Sequence, residues 1–355
     1  MATLSWLSVA LLTGRVVAEL NDLVCDSVSA TLGRYESTTA SLPLPTAPAD
    51  WDRATMPYGS ALVLLEDGVP VWGGIVTGRN PGHGDVLSLS LATAEAYFAR
   101  RYVGDVTYAA TGQNTIASNL VTAYAVTSGI PFRIATSGAG TVRDRTYTDA
   151  SDQFLYDQLQ ELSGVSGGPE WTVTWEHQSS PERYTPVFTV ADRIGTAPMA
   201  GLRPAVTFDM PGSVASFEYA QTWAAGQGAT SVVATGTAQA DVRPQSPAQV
   251  ATDPDRPQID YRWNPSSSIT DVPTLTAHAS KALASLSQGG RSLSMTVDAG
   301  TAPKLNVDWS MGDTVGYDLT CPAFPNGLTG TARVVGWSRT LGPTPQITPT
   351  LVLGV

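Results

Sequence analysis

The sequence predicts an α+β protein that is mainly β, with two small β-barrel-like domains and an α/β domain between them. Three observations carry this. Short runs alternating apolar and polar residues, separated by Gly, Pro, Asn and Asp turns, fill the first hundred residues and return after about residue 204. Between them, amphipathic stretches with three- and four-residue spacing alternate with strand-like runs. The 355 residues are 42% hydrophobic and 8% aromatic, enough for two or three domains with cores of their own. The expected boundaries are 1–104, 105–203 and 204–355, the last interrupted by a helical excursion at about 255–300.

In the first segment, residues 14–20 set Val16 and Ala18 against Val17 and Glu19, and residues 25–32 set Val28, Ala30 and Leu32 against Ser27, Ser29 and Thr31. Residues 43–57 are a Pro-, Ala- and Asp-rich loop anchored by Trp51. The strongest local signal is the hairpin at 61–78, ALVLLEDGVPVWGGIVTG. Asp67-Gly68 supplies its turn, because a primed two-residue turn needs positive φ. Trp72 is followed by Gly73-Gly74, which removes two side chains mid-strand and predicts a bulge or the close approach of another backbone. A strand at 86–91 follows, and Thr93 is placed to cap a short helix at 94–101.

In the middle segment, Ile116, Leu120, Val121 and Tyr124 share one face of a helix at 114–126. A second helix, 151–162, aligns Phe154, Leu155, Leu159 and Leu162, with Asp149 or Ser151 as its N-cap. A strand at 171–176 pairs with one at 184–190. Farther on, strands at 206–210 and 213–220 flank Pro211-Gly212, and 230–234 continues their sheet. Residues 239–257 read as a linker and 272–286 as a helix with Leu275, Ala279, Leu283 and Leu286 on one stripe. After a strand at 292–297, a closing hairpin runs out over 313–320 and back over 331–340, with Asn326-Gly327 near its turn.

Chemistry is sparse. The net charge of −11 argues against holding DNA through phosphates, which needs a basic footprint. Cys25 and Cys321 have no ligand spacing, and His83, His177 and His278 form no metal or catalytic motif. No phosphate-binding loop, dinucleotide fingerprint or nucleophile elbow occurs. Carboxylate pairs such as Asp50 with Asp52, Asp253 with Asp255 and Glu170 with Glu176 are acid–base candidates, but acids beside Gly, Pro, Ser and Thr usually serve turns and caps. Of nine tryptophans, only Trp171 and Trp175 form a close pair that suggests sugar stacking. No catalytic, cofactor or metal site is therefore expected, and no cofactor. The N-terminal apolar stretch lacks a basic flank, and no run reaches the ~18 apolar residues of a membrane span, so a soluble, cytoplasmically made chain is expected.

The strand–DG–VWGG–strand order at 61–78 resembles the N-terminal domain of hub proteins at the tail tip of long-tailed bacteriophages. Four further features are similar to that family in the same order. They are the doubled Arg100-Arg101; R-x-Y at 145–147 with L-x-x-L-S at 159–163; G-x-E-W at 168–171; and G-D-x-V at 312–315 with G-x-A-R-V-V-G-W at 330–337. The resemblance implies a non-enzymatic virion component, a baseplate hub that closes the tail tube and takes part in host attachment and genome ejection. It implies a homotrimer whose partners are tail-tube and distal tail proteins. DNA would pass an acidic lumen without sequence-specific binding. Two other classes stay open on the residues alone: a tail-associated cell-wall hydrolase and a carbohydrate-binding adhesin.

Overall fold

Alternating apolar residues build the N-terminal sheet of the computed structural model, which describes residues 3–127, 129–164, 167–199, 202–236, 242–265 and 271–353. Its strands are β1 (Leu4–Ala10), β2 (Val16–Glu19), β3 (Val24–Cys25), β4 (Ser27–Thr31), β5 (Ser37–Pro43), β6 (Ser60–Glu66), β7 (Val69–Pro81) and β8 (Val86–Thr93). All but β4 form one sheet, in the order β2-β1-β6-β7-β8-β5-β3. Every residue of β6 from Ser60 to Leu65 is buried, because both faces of the sheet are covered. Glu66 pairs with Val69, leaving Asp67 (φ 50°) and Gly68 (φ 82°) as the two-residue turn that positive φ requires. The predicted helix at 94–101 is a 3-10 turn, Ala94–Arg100, and Thr93 does not cap it: its hydroxyl accepts the Glu36 N–H instead.

The middle of the chain contributes β9 (Val106–Gly112), α1 (Gln113–Val121), β10 (Arg133–Ser137), β11 (Val142–Tyr147), α2 (Leu155–Gly164), β12 (Glu170–Ser179) and β13 (Glu182–Ala191). Strands β10, β13 and β12 form one sheet, with β10 parallel to β13, and β9 pairs with β11 as a separate ribbon. The helical periodicity seen to residue 126 survives as a π-helical turn, Thr122–Val126, that continues α1. Helix α2 starts later than predicted. Asp149–Ser151 make their own 3-10 turn, and Asp152, at φ 48°, breaks the chain before Leu155, so neither Asp149 nor Ser151 caps the helix. Packing does not separate this segment from the first: Ala61, Val63, Leu65 and Ile75 share one core with Phe98, Ile116, Leu120, Leu159, Trp171 and Phe188.

The remaining elements are β14 (Thr207–Met210), β15 (Val214–Thr222), β16 (Ser231–Ala234), β17 (Gln249–Val250), β18 (Asp260–Trp263), α3 (Val272–Leu286), β19 (Gly290–Asp298), β20 (Thr314–Cys321), β21 (Phe324–Thr340) and β22 (Gln346–Leu353). A second large sheet has the order β14-β20-β21-β22-β19-β15, and β4 from the N-terminal part adds to β21. The run at 230–234 does not continue this sheet. As β16 it is the centre of a separate three-stranded sheet, β17-β16-β18, whose Ala229, Val232 and Ala234 pack against Leu275 and Ala279 of α3. Asn326-Gly327 is not the closing turn. Cys321 pairs with Phe324, so Pro322-Ala323 make the turn; Asn326 and Gly327 (φ 85°) fall in β21 where the register shifts between Leu319 and Cys321. A bulge uses the same left-handed geometry as a turn, and Asn-Gly serves either.

Contact density divides the chain into a larger unit, Met1–Ser216 with Met295–Val355, and a smaller one, Phe217–Ser294. The smaller unit holds the three-stranded sheet with α3 packed on it, together with residues 217–222 of β15 and 290–294 of β19.

Candidate functional site

The site is built around the 61–78 hairpin of the larger unit. Trp72 meets Trp6 edge to face, with ring centroids 5.9 Å apart, and its indole N–H donates to the Ser29 carbonyl at 2.8 Å, pinning β4 beside β7. The bulge on β7 lies at Val71, where pairing jumps from Leu64–Trp72 to Leu65–Pro70; Gly73 and Gly74 pair regularly with Val63 and Leu62. Both glycines are crowded, but chiefly by indoles. A Cβ on Gly73 would stand 2.5 Å from the Trp175 ring nitrogen, whose N–H donates to the Gly73 carbonyl at 3.1 Å. A Cβ on Gly74 would stand 2.5 Å from the Trp72 ring and 3.1 Å from the Ala92 carbonyl oxygen. At Gly73 the close neighbour is thus a side chain, at Gly74 the Ala92 backbone approaches as expected, and the bulge lies two residues before Gly73.

Two bidentate ion pairs tie β21 to distant segments, one of them the hairpin. Arg339, 3% exposed, grips Glu66 with Nη1–Oε2 and Nη2–Oε1 distances of 2.8 and 2.7 Å, next to the Asp67-Gly68 turn. Arg333 grips Glu170 at 2.6 and 2.5 Å and also donates to the carbonyls of Ile194 and Gly312. Glu170 further accepts the Ile194 N–H at 2.7 Å. The Glu of G-x-E-W and the Arg of G-x-A-R-V-V-G-W therefore meet. Strand β4 pairs with Gly336–Thr340 of β21 from Thr31 to Ser27, which closes the seam.

The remaining sequence candidates serve structure. Asp52 is paired with Arg79, Asp253 with Arg256 and Glu176 with Arg133, so each acid pair proposed from the sequence has a member held by an arginine. Trp171 is fully buried among Phe98, Tyr156 and Phe188, which removes it as a sugar platform. His177 stacks on Tyr184 and His278 meets Trp263 edge to face. Burial pushes the Cys25 thiol up, away from reactivity, and both cysteines are free. Among the described residues no group of three or more His, Cys, Asp and Glu could hold a metal ion, and no helix is long and apolar enough to cross a membrane.

Sequence reasoning missed Glu95. It is fully buried beneath the hairpin, with Oε1 accepting the Val173 N–H at 2.9 Å, and desolvation pushes its carboxyl from 4.5 up to about 7. An acid at the start of a short helical run shows no mark of burial in the sequence.

No protein-family model matches the sequence, and no curated protein matches it. Solved structures do. The 43 kDa tail protein of prophage MuSo2 from Shewanella oneidensis is 10% identical with a TM-score of 0.63, over 99% of this chain and 98% of that one. The tail protein from Neisseria meningitidis MC58 is 14% identical with a TM-score of 0.59, over 98% and 96%. A chain of the half-lidded Francisella PdpA–VgrG complex is 7% identical with a TM-score of 0.55; this chain is covered over 99%, that one over 58%. At these identities the likeness is one of fold: the chain has the mainly-β fold of phage tail proteins.

Three outcomes are expected. Gly73→Ala lowers stability by about 2–3 kcal/mol by forcing the Trp175 ring away, whereas Gly84→Ala, with nothing within 4 Å, is near neutral; urea denaturation compares them. Glu66→Ala costs about 3 kcal/mol because it strands a buried guanidinium, and adding Arg339→Met restores much of that loss; additive single-mutant losses in the double-mutant cycle would show the pair to be uncoupled. For Glu95, the folded state keeps a proton that the unfolded chain releases near pH 4.5. Stability therefore falls as pH rises from about 4.5 through about 7, by on the order of 3 kcal/mol. Denaturation at pH 5 and pH 8 should show this slope in the native chain and a weaker one in Glu95→Gln.

Proposed function

We propose that the chain is a structural component of a phage tail tip, a baseplate hub that closes the tail tube and takes part in host attachment and genome ejection. The observation that carries this reading is an internal repeat of topology. In the first sheet the meander β6-β7-β8 is flanked by β1 beside β6 and β5 beside β8; in the second the meander β20-β21-β22 is flanked by β14 beside β20 and β19 beside β22. In each, one flank is the strand just before the meander; the other is the sheet's first strand in the chain, β1, in the first sheet, and the first strand after β4, β14, in the second. The middle strands are the longest, at 13 and 17 residues. The flanks differ in one respect, since β1 runs antiparallel to β6 and β14 parallel to β20.

Two sheets of related topology per chain let three chains present six similar modules around an axis, matching a six-fold tube to a three-fold tip through closed heterologous contacts. The domain division that goes with this reading is a barrel-like module on each side of an α/β segment. The homotrimer forms in the tail, where neighbouring tube and distal proteins stabilise it by mass action, and DNA passes an acidic lumen. The fold likeness to tail proteins and the capture of every sequence-proposed acid pair by arginines favour this over the hydrolase and adhesin readings.

Native mass spectrometry and cryo-electron microscopy of assembled tails test the proposal, with three copies at the tail tip expected. A two-fold dimer would overturn the trimer, and absence from the tail would overturn the hub. Clearing of host peptidoglycan in a zymogram, or saturable binding to host walls, would move the assignment to hydrolase or adhesin.

A further inference from the structure

The larger unit holds a cavity of about 460 Å³ between β7, β12, β21 and the chain near residues 194–195 and 306–311. Trp72, Trp175 and Trp337 line it, with Glu95, Thr172 and Met311 among the other walls. Among the described residues no lysine, arginine or histidine lines it, and Glu95 is the titratable residue in its wall. Glu95 is 3% exposed and Thr172 4% exposed, and the Glu95 Oε2 and Thr172 Oγ1 atoms are buried without a hydrogen-bond partner. A buried carboxylate is ordinarily paired, because desolvation of its charge is otherwise uncompensated. Here the fold provides an acid, an unused hydroxyl and three indoles, and leaves out the cation. Indole faces attract positive charge and cover apolar stems.

We propose that this cavity is a binding site for a small alkylammonium ion, with the ammonium group meeting Glu95 and Thr172 and the alkyl stem lying among Trp72, Trp175 and Trp337. The space far exceeds the ~10–15 Å³ that a single water requires. The ionised carboxylate is the binding form. Burial holds Glu95 largely protonated below about pH 7, and Glu36 is the charged group that adds to this, while the Thr93 hydroxyl and Val173 N–H favour ionisation. Ammonium binding therefore releases a proton from Glu95 at lower pH and tightens as pH rises. The ionised fraction grows roughly tenfold between pH 6 and pH 8, and the affinity with it.

The test is a titration of the full chain with n-butylammonium chloride at fixed ionic strength, read from the indole N–H signals of its nine tryptophans by heteronuclear NMR. Expected are saturable shifts confined to Trp72, Trp175 and Trp337, an affinity at least tenfold above that for 1-butanol, a roughly tenfold gain from pH 6 to pH 8, and loss of binding in Glu95→Gln. That variant resembles the protonated acid and keeps an acceptor for Val173, so its fold is checked by its unchanged remaining indole signals. Equal affinity for 1-butanol would show an apolar cavity only. Unchanged affinity in Glu95→Gln would show binding that does not use the carboxylate, and no shifts at all would show a cavity filled by water. Each of these outcomes overturns the proposal.

Discussion

The pairing of β4 with the far half of β21 is the constraint on which the larger unit depends. β4 takes no place in the N-terminal sheet, yet its backbone is satisfied, because Ser27–Thr31 bond along Thr340–Gly336 and the Trp72 indole holds Ser29 from the other side. The two large sheets are thereby locked through one five-residue strand. Arg339 belongs to the same stretch of β21, so the guanidinium that reaches Glu66 is placed by the register that β4 enforces. A slip of one residue would turn Arg339 to the opposite face and strand it.

Two of the arginine–carboxylate pairs are set inside the fold. Arg333 and Arg339 are each bound to a carboxylate by two contacts, and Arg333 also takes two backbone carbonyls, in places where an alkyl chain would leave those acceptors without donors. Such pairs add little net stability over well-packed apolar residues, but they tolerate one geometry only. Three segments brought together from opposite ends of the chain benefit from that selectivity.

What could be read from the sequence was local. The Asp67-Gly68 turn, the β12–β13 pair and the helix Val272–Leu286 rest on signals that lie within a few residues of the structure they direct. The failures share a physical form. A short apolar run such as Ser231–Ala234 carries no information about which sheet it will join. Asn326-Gly327 signals positive φ, which a bulge and a turn both use, while the true turn, Pro322-Ala323, carries no such mark. Gly73-Gly74 announced crowding, and the Ala92 backbone does approach Gly74, but the ring against Gly73 belongs to Trp175, placed by a different sheet. Of the site, Glu170 and Arg333 were visible inside motifs, yet nothing in either motif says that they touch. Glu95 gave no sign of burial, because its partner is a backbone amide.

The β4–β21 pairing also sets an order of events during synthesis. Ala30 waits for Trp337, roughly 300 residues later in the chain, and among the described residues no other strand ladder engages β4 in the finished fold. While the ribosome makes the intervening chain, Ser27–Thr31 is an open strand edge, the kind of template that neighbouring nascent chains can join. The indole of Trp72 is available long before Trp337, once the hairpin has closed. Its bond to Ser29 makes it a temporary guard for that edge, holding β4 against the first sheet until β21 arrives.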